Sequence, residues 1–245
     1  MKKLIFLCIF TFFGIELVAQ IKFIEIEYSF SIKRPEGPTS TFFKTLKDNG
    51  KASIFITKDT PTLGSGMVIP TNKAKNFGVF TDKVSNKLYQ YEPIFNKDFY
   101  ILDDSITTRY VWKTFDTVKK EILGYDCKMA ICEFRGREYT VFFCENLPYN
   151  VGPWKLTGLP GTILEASTKD GMYRFEAFKV SLNHKYEDIF NPYENKKIEF
   201  LSFLSHKKLF LKKLSDYSRK VQSEEKDEDV IYGIEDNSIE LLKLN

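Results

Sequence analysis

Ile24-Glu25-Ile26-Glu27-Tyr28-Ser29-Phe30-Ser31-Ile32-Lys33 alternates apolar and polar side chains over its whole length. Successive side chains of an extended chain point to opposite faces, so this stretch makes a strand with one greasy and one wet face, as in an antiparallel sheet solvated on one side. Pro35 to Pro38 ends it, and a second apolar/polar stretch follows at Thr41 to Leu46. Asp48-Asn49-Gly50 is a turn signal, after which Ala52, Ile54 and Ile56 resume the alternation. Thr57 to Asn76 holds Pro61, Gly64, Gly66 and Pro70 and reads as a long loop carrying a short strand around Met67 to Ile69. Short strands then come in series at Gly78 to Thr81, Lys87 to Tyr91, Phe99 to Leu102 and Tyr110 to Phe115, separated by polar turns in an all-β rhythm.

Lys119 to Leu147 reads as a hairpin turning at Arg135-Gly136, with Phe134 facing Arg137. Cys127 lies seven residues before Phe134 and Cys144 seven after Arg137, so the register puts them directly opposite each other, in a non-hydrogen-bonded pair where side chains lie close. One reading is a cross-strand disulfide between Cys127 and Cys144, with Cys132 free on the other face; the other is three small buried hydrophobic side chains. Ile163 to Ala166 and Met172 to Leu182 form a further hairpin around Lys169-Asp170-Gly171. The pattern then changes: Leu201, Leu204, Phe210, Leu211, Leu214, Tyr217 and Val221 recur at mostly helical spacing, which predicts an amphipathic helix over 197–221. Ser223 to Asp229 is an acidic solvated linker, and Ser238 to Leu244 a final short strand.

At the other end, Lys2 and Lys3 precede an apolar run from Leu4 to Gly14, and Val18-Ala19 puts a small residue before Gln20. This is the layout of a signal peptide over 1–19. The run is too short for a membrane-spanning helix of about 20 residues. The expected mature chain, 20–245, is one domain with a real core, held in the periplasm or at the outer membrane or cell surface, and with no transmembrane helix. Without Lys2, Lys3 and Glu16 the formal net charge goes from +3 to +2, a near-neutral balance that argues against a nucleic-acid partner.

Recognisable chemistry is sparse. His184 and His206 stand in no metal-ligand spacing with a cysteine, so neither a metal nor a cofactor is expected. Solvated or capping roles fit both histidines. Asp103-Asp104, Glu133 and Glu165 are carboxylates of the kind a glycosidase pairs, but in a chain that is 28% charged such residues cover any surface. Asp103-Asp104 reads as a turn start. Gly158-Leu159-Pro160-Gly161 lacks the spacing of a phosphate loop. It reads as a turn, with Pro160 and Gly161 at the two central positions of a type II turn. Gly152-Pro153-Trp154 is a second rigid bend, and a Trp between two bends plugs the end of a core or lines a ligand mouth. Trp154, Tyr149 and Trp112 are the ligand-lining candidates.

Gly152-Pro153-Trp154-Lys155-Leu156-Thr157-Gly158-Leu159-Pro160-Gly161-Thr162-Ile163-Leu164-Glu165-Ala166 resembles the signature of the GLPGLI family of exported Gram-negative bacterial proteins. Lys120 to Ala130, with Gly124-Tyr125-Asp126-Cys127, is similar to the family's Gly-Tyr-x-Cys stretch. Phe134 to Tyr139, Leu147-Pro148 and Asn237 to Leu241 also fit. Thr162 replaces the leucine of the family name, and Cys144 stands where an aromatic or polar residue is expected. The family carries no established activity or catalytic residue. By resemblance, the fold is similar to the bowl-like amino-terminal domain of a secreted peptide-N-glycosidase and to the half-open barrel of periplasmic lipoprotein carriers, analogies that do not transfer a function.

The expected fold is therefore mainly β: a strongly curved antiparallel sheet, half-barrel or bowl-like, with one C-terminal amphipathic helix. The expected function is that of a non-catalytic envelope protein. Its 16% aromatic residues exceed what a compact domain needs and would furnish a bowl for a lipid or other hydrophobic ligand. The alternative is an accessory interaction module of an outer-membrane or surface assembly, recognised through edge strands and the Thr57–Asn76 loop. A carboxylate-based hydrolase is the third reading, to be revived by a cleft holding a carboxylate of raised pKa.

Overall fold

The computed structural model describes residues 23–34, 37–57, 78–95, 97–103, 110–183, 185–194, 199–224 and 238–241. The expected signal peptide, all but Thr57 of the Thr57–Asn76 loop, His184, Asp104 and residues 242–245 lie outside them. The strands are β1 (Phe23–Ile32), β2 (Ser40–Asp48), β3 (Ala52–Thr57), β4 (Val79–Asp82), β5 (Lys87–Tyr91), β6 (Tyr100–Asp103), β7 (Lys113–Ile122), β8 (Tyr125–Phe134), β9 (Arg137–Cys144), β10 (Thr162–Thr168), β11 (Tyr173–Asn183) and β12 (Phe200–Leu201). One helix among the described residues, α1 (Phe203–Glu224), follows.

All twelve strands form one open sheet in the order β12-β6-β5-β4-β3-β2-β1-β11-β10-β9-β8-β7. β1 to β6 zigzag in sequence order and so do β7 to β11, each strand pairing antiparallel with the next; the long-range pairing of β1 with β11 joins the two halves. Only β12 with β6 is parallel. The sheet curls until its wings meet: Arg135, in the β8–β9 turn near one edge, pairs with Asp103 at the end of β6 near the other. The outermost strands, β12 and β7, stay unpaired with each other, which leaves a bowl rather than a closed barrel.

The concave face carries the main core. Ile24, Ile26 and Tyr28 of β1 are fully buried among Leu46, Phe55, Val141, Phe175 and Ala166. The Tyr28 hydroxyl donates to the Ile163 carbonyl at 2.6 Å, which satisfies the one polar group of that row. Glu27, on the face expected to be wet, is nonetheless buried and pairs with Lys179 at 3.0 Å, where β1 and β11 shift register by a bulge. On the convex side Tyr193 covers the β3–β4 region with Ala52 and Phe80, its hydroxyl donating to the Gly78 carbonyl at 2.8 Å.

Several boundaries differ from the sequence reading. Lys119 to Leu147 is not one hairpin. A second turn at Leu123-Gly124, both residues at positive φ (54° and 80°), ends β7 and starts β8. The Arg135-Gly136 turn is as expected, with φ of 44° and 82°, the signs a type I′ turn requires. Its register holds from Phe134–Arg137 to Lys128–Phe143. One rung beyond, Cys127 and Cys144 are joined by a disulfide with Cα atoms 4.3 Å apart. Cys132 is free and buried. The helix begins at Phe203, because Phe200-Leu201 is drawn into a ladder with Tyr100-Ile101 and the Ser202 hydroxyl caps the Ser205 amide at 3.1 Å. Ser238 to Leu241, the described part of the expected final strand, is not a strand; side chains hold it, with one backbone bond from the Leu241 amide to the Arg135 carbonyl at 2.8 Å.

Pro160-Gly161 is not a type II turn. Gly158 carries the positive φ (95°), whereas Gly161 does not. Gly161 is needed for close approach: a Cβ there would lie 2.4 Å from the Cys144 carbonyl oxygen. Gly161→Ala is expected to cost about 1–3 kcal/mol through forced backbone displacement, read as a lowered urea midpoint at unchanged m-value.

Candidate functional site

The chain between β9 and β10 does not run round the rim of the bowl but folds into it. Tyr149 to Gly158 crosses the concave face, pinned by short hydrogen bonds. Val151 donates to the Tyr149 carbonyl at 2.8 Å, Tyr110 donates to the Lys155 carbonyl at 2.6 Å, and Trp112 Nε1 donates to the Thr157 carbonyl at 2.8 Å. The Asn150 side-chain oxygen accepts from the Thr157 hydroxyl at 2.8 Å and from the Gly158 amide. Trp154 sits at the middle of this segment with φ of 59°, a conformation non-glycine residues adopt only under constraint. Its ring is buried against Tyr139 and edge-on to Phe134, with centroids 6.2 and 5.8 Å away.

Trp154 divides the bowl. On one side a cavity of about 270 Å³ is walled by Phe30, Phe55, Val79, Trp154, Phe175 and Ile239, with Lys44, Gln90 and Glu92 beside Thr57 and Tyr91 as its polar members. Phe30 and Phe175 stack there with centroids 4.4 Å apart. On the other side a cavity of about 390 Å³ is more polar, bounded by Ser53, Thr81, Lys83, Asn150, Trp154 and Lys155. Of the other ligand-lining candidates, Trp112 stacks on Tyr110 and holds the crossing segment from behind Gly158. Tyr149 is buried, its hydroxyl without a hydrogen-bond partner among the described residues. Desolvation, and secondarily the field of Asp48, push that hydroxyl's pKa up.

A charged cluster closes the wall between the wings. Glu240 accepts from Lys155 Nζ at 2.6 Å and pairs with Arg135, which also holds Asp103. Arg135 lies over the Phe203 ring at 3.3 Å. The tail residues around Glu240 are held by side chains: Arg137 donates to the Ser238 carbonyl at 2.8 Å, and the Tyr139 hydroxyl to that of Ile239 at 3.1 Å. Burial lowers the Lys155 pKa, and the Glu240 carboxylate pulls it partly back. Asp103 is thus a buried ion-pair partner at the end of β6, the turn expected from Asp104 onward lying outside the described residues, and His206 is buried against the Glu92 carbonyl, 3.1 Å away, rather than solvated. Burial lowers the His206 pKa. Cys132 has its thiol pushed up to about 12 by burial, so it is protonated and unreactive at neutral pH.

Glu92, half-buried in the apolar cavity, has its carboxyl raised from 4.5 to about 6, chiefly by burial and then by Glu240. The folded state therefore holds this proton more tightly than the unfolded chain. Its stabilising contribution is full below pH 4.5 and is lost as pH rises through about 6. Glu92→Gln removes the ionisation. The variant is expected to gain on the wild type by up to about 2 kcal/mol at neutral pH and to lose that advantage in acid, as compared by urea unfolding at both pH values.

Lys44 and Gln90 were not among the residues singled out from sequence, yet the signal was there. Phe42, Lys44 and Leu46 share one face of β2, and Leu88 and Gln90 one face of β5. A polar residue in an inward apolar row is the informative exception.

The fold is similar to solved structures of PNGF-II in two crystal forms. Each has 19% sequence identity and a TM-score of 0.54, and the match covers 78% of this chain and 33% of that one. The chain thus spans about a third of the length of PNGF-II. A crystal structure of a LolA superfamily protein from Nitrosomonas europaea matches at 9% identity and a TM-score of 0.30, over 71% of this chain and 90% of that one. No family model and no curated protein matches the chain.

Proposed function

We propose that this protein is a non-catalytic binding protein of the bacterial envelope that takes a hydrophobic ligand on the concave face of its sheet. The observation that carries the reading is the 270 Å³ cavity beside Trp154, walled by Phe30, Phe55, Trp154 and Phe175. Aromatic rings around an unfilled concavity are what a ligand site needs and what a packed core avoids. Export and membership of the GLPGLI family belong to the same proposal. They rest on the Lys2–Ala19 layout and on the Gly152–Ala166 motif, which supplies the crossing segment.

The hydrolase reading draws on one observation, the raised carboxyl of Glu92 in a cavity. A glycosidase needs a second carboxylate across the substrate. Glu92 is the only carboxylate among the described residues lining that cavity, and neighbouring Glu240 is held by Lys155 and Arg135. Binding without catalysis is therefore favoured.

Native mass spectrometry of the mature protein isolated from its own envelope tests the proposal. A stoichiometric adduct, extractable into organic solvent and identified as a lipid or other apolar molecule, is the expected result. A bare mass, with the protein travelling instead beside a larger envelope partner, would replace ligand carriage with the interaction module.

A further inference from the structure

The apolar cavity is not uniformly apolar, and its polar groups are incompletely used. Gln90 is 5% exposed, and its side-chain Oε1 has no hydrogen-bond partner among the described residues. Its Nε2 is already committed to Glu92. A buried amide oxygen left without a donor carries a desolvation penalty that native proteins rarely leave standing without a reason. Lys44 lines the same cavity. Its ammonium donates to the Thr57 hydroxyl at 2.6 Å and lies 5.9 Å from the Phe30 centroid, while no carboxylate of the described residues forms an ion pair with it. Burial draws its pKa down to about 8, so it keeps its charge at neutral pH with two N–H donors to spare.

Resting on the binding function proposed above, we infer that the ligand is an anionic amphiphile: an acyl chain lies along Phe30, Phe55 and Phe175, its carboxylate meets Lys44, and an amide or hydroxyl hydrogen beside that carboxylate meets Gln90 Oε1. Lys44 and Gln90 Oε1 then each gain a partner of complementary sign, and the rings take the apolar area. Glu92, largely ionised at neutral pH, stays with Gln90 Nε2 and repels a carboxylate placed on its side of the cavity, which directs the head towards Lys44.

Calorimetric titration of the delipidated full chain with dodecanol, laurate and N-lauroylglycine tests this, since the three share a chain and add first a charge and then an amide. The expected order is N-lauroylglycine tightest and dodecanol weakest, with laurate exceeding dodecanol by about tenfold or more and the amide adding about fivefold. Lys44→Met is expected to abolish the preference for laurate over dodecanol while dodecanol still binds. Gln90→Leu is expected to abolish only the advantage of the amide. Equal affinities in the wild type, or either variant keeping the preference assigned to its residue, would overturn the inference and leave the hydrophobic site standing. Failure of all three compounds to bind would instead sink the ligand-binding reading itself. Gln90→Leu places an apolar side chain in an apolar row and folds independently of Lys44→Met, so each arm stands without the other.

Discussion

Glu240→Ala is expected to lower folding stability by about 3–5 kcal/mol, the effect of removing one member of a buried ion pair. The Lys155 side chain is fully inaccessible to solvent and has Glu240 at 2.6 Å. Without that carboxylate an ammonium stays buried beside Arg135, which raises its energy further. The sign of the pH dependence follows. Burial lowers the Lys155 pKa in the folded state, so the unfolded chain holds the proton more tightly and stability rises with pH towards the ordinary lysine value of 10.5. The deficit of Glu240→Ala should therefore shrink in alkaline buffer. The double variant Glu240→Leu with Lys155→Met, which removes both charges, should recover most of the loss, since apolar replacement of a whole buried pair is often neutral. Urea unfolding across pH reads all three. A loss under about 1 kcal/mol for Glu240→Ala would mean that the tail does not close the wall between the wings.

Trp154→Ala is expected to cost about 3–5 kcal/mol and to join the two cavities that the indole separates. The ring contacts both Tyr139 and Phe134, and it forms a wall of both the 390 and the 270 Å³ cavity. The backbone adds a discriminating control. Trp154 sits at φ 59°, where glycine carries no steric penalty, so Trp154→Gly should be no more destabilising than Trp154→Ala despite glycine's greater chain entropy. At most helical or strand positions the order would be reversed. Thermal unfolding ranks the two variants, and binding of an environment-sensitive apolar dye compares the enlarged cavity with the native one. A Trp154→Gly variant clearly worse than Trp154→Ala would show that the positive φ is not retained in solution.

How much of this was legible beforehand depended on how local the determining forces are. Alternation from Ile24 to Lys33 announced β1, and the dipeptides Asn49-Gly50, Arg135-Gly136 and Asp170-Gly171 announced turns, because strand period and turn geometry act over a few residues. Register followed from the turn, which is why Cys127 and Cys144 could be set opposite each other by counting. The Leu123-Gly124 turn was missed because it interrupts a run rich in lysine and glutamate with no inward apolar row to lose; β7 is mostly exposed. The composition of Ser238 to Leu244 reads as a strand, whereas in its described part, 238–241, the backbone is held by Arg137 and Tyr139 from a strand about a hundred residues away in sequence, as their separations of 101 and 100 show.

The amino-acid sequence by itself determined the β class, most strands, the helix and the turn-set register, since each depends on neighbours in the chain. Only the tertiary structure decided that β1 pairs β11, that the sheet curls until Arg135 reaches Asp103, and that Tyr149 to Gly158 folds into the bowl with Trp154 between two cavities. It likewise decided that Lys44 and Gln90 share a cavity and that Lys155 is buried against Glu240. A side chain's partner across a curved sheet is fixed by packing and desolvation over long chain separations, and no local pattern of residues carries that information.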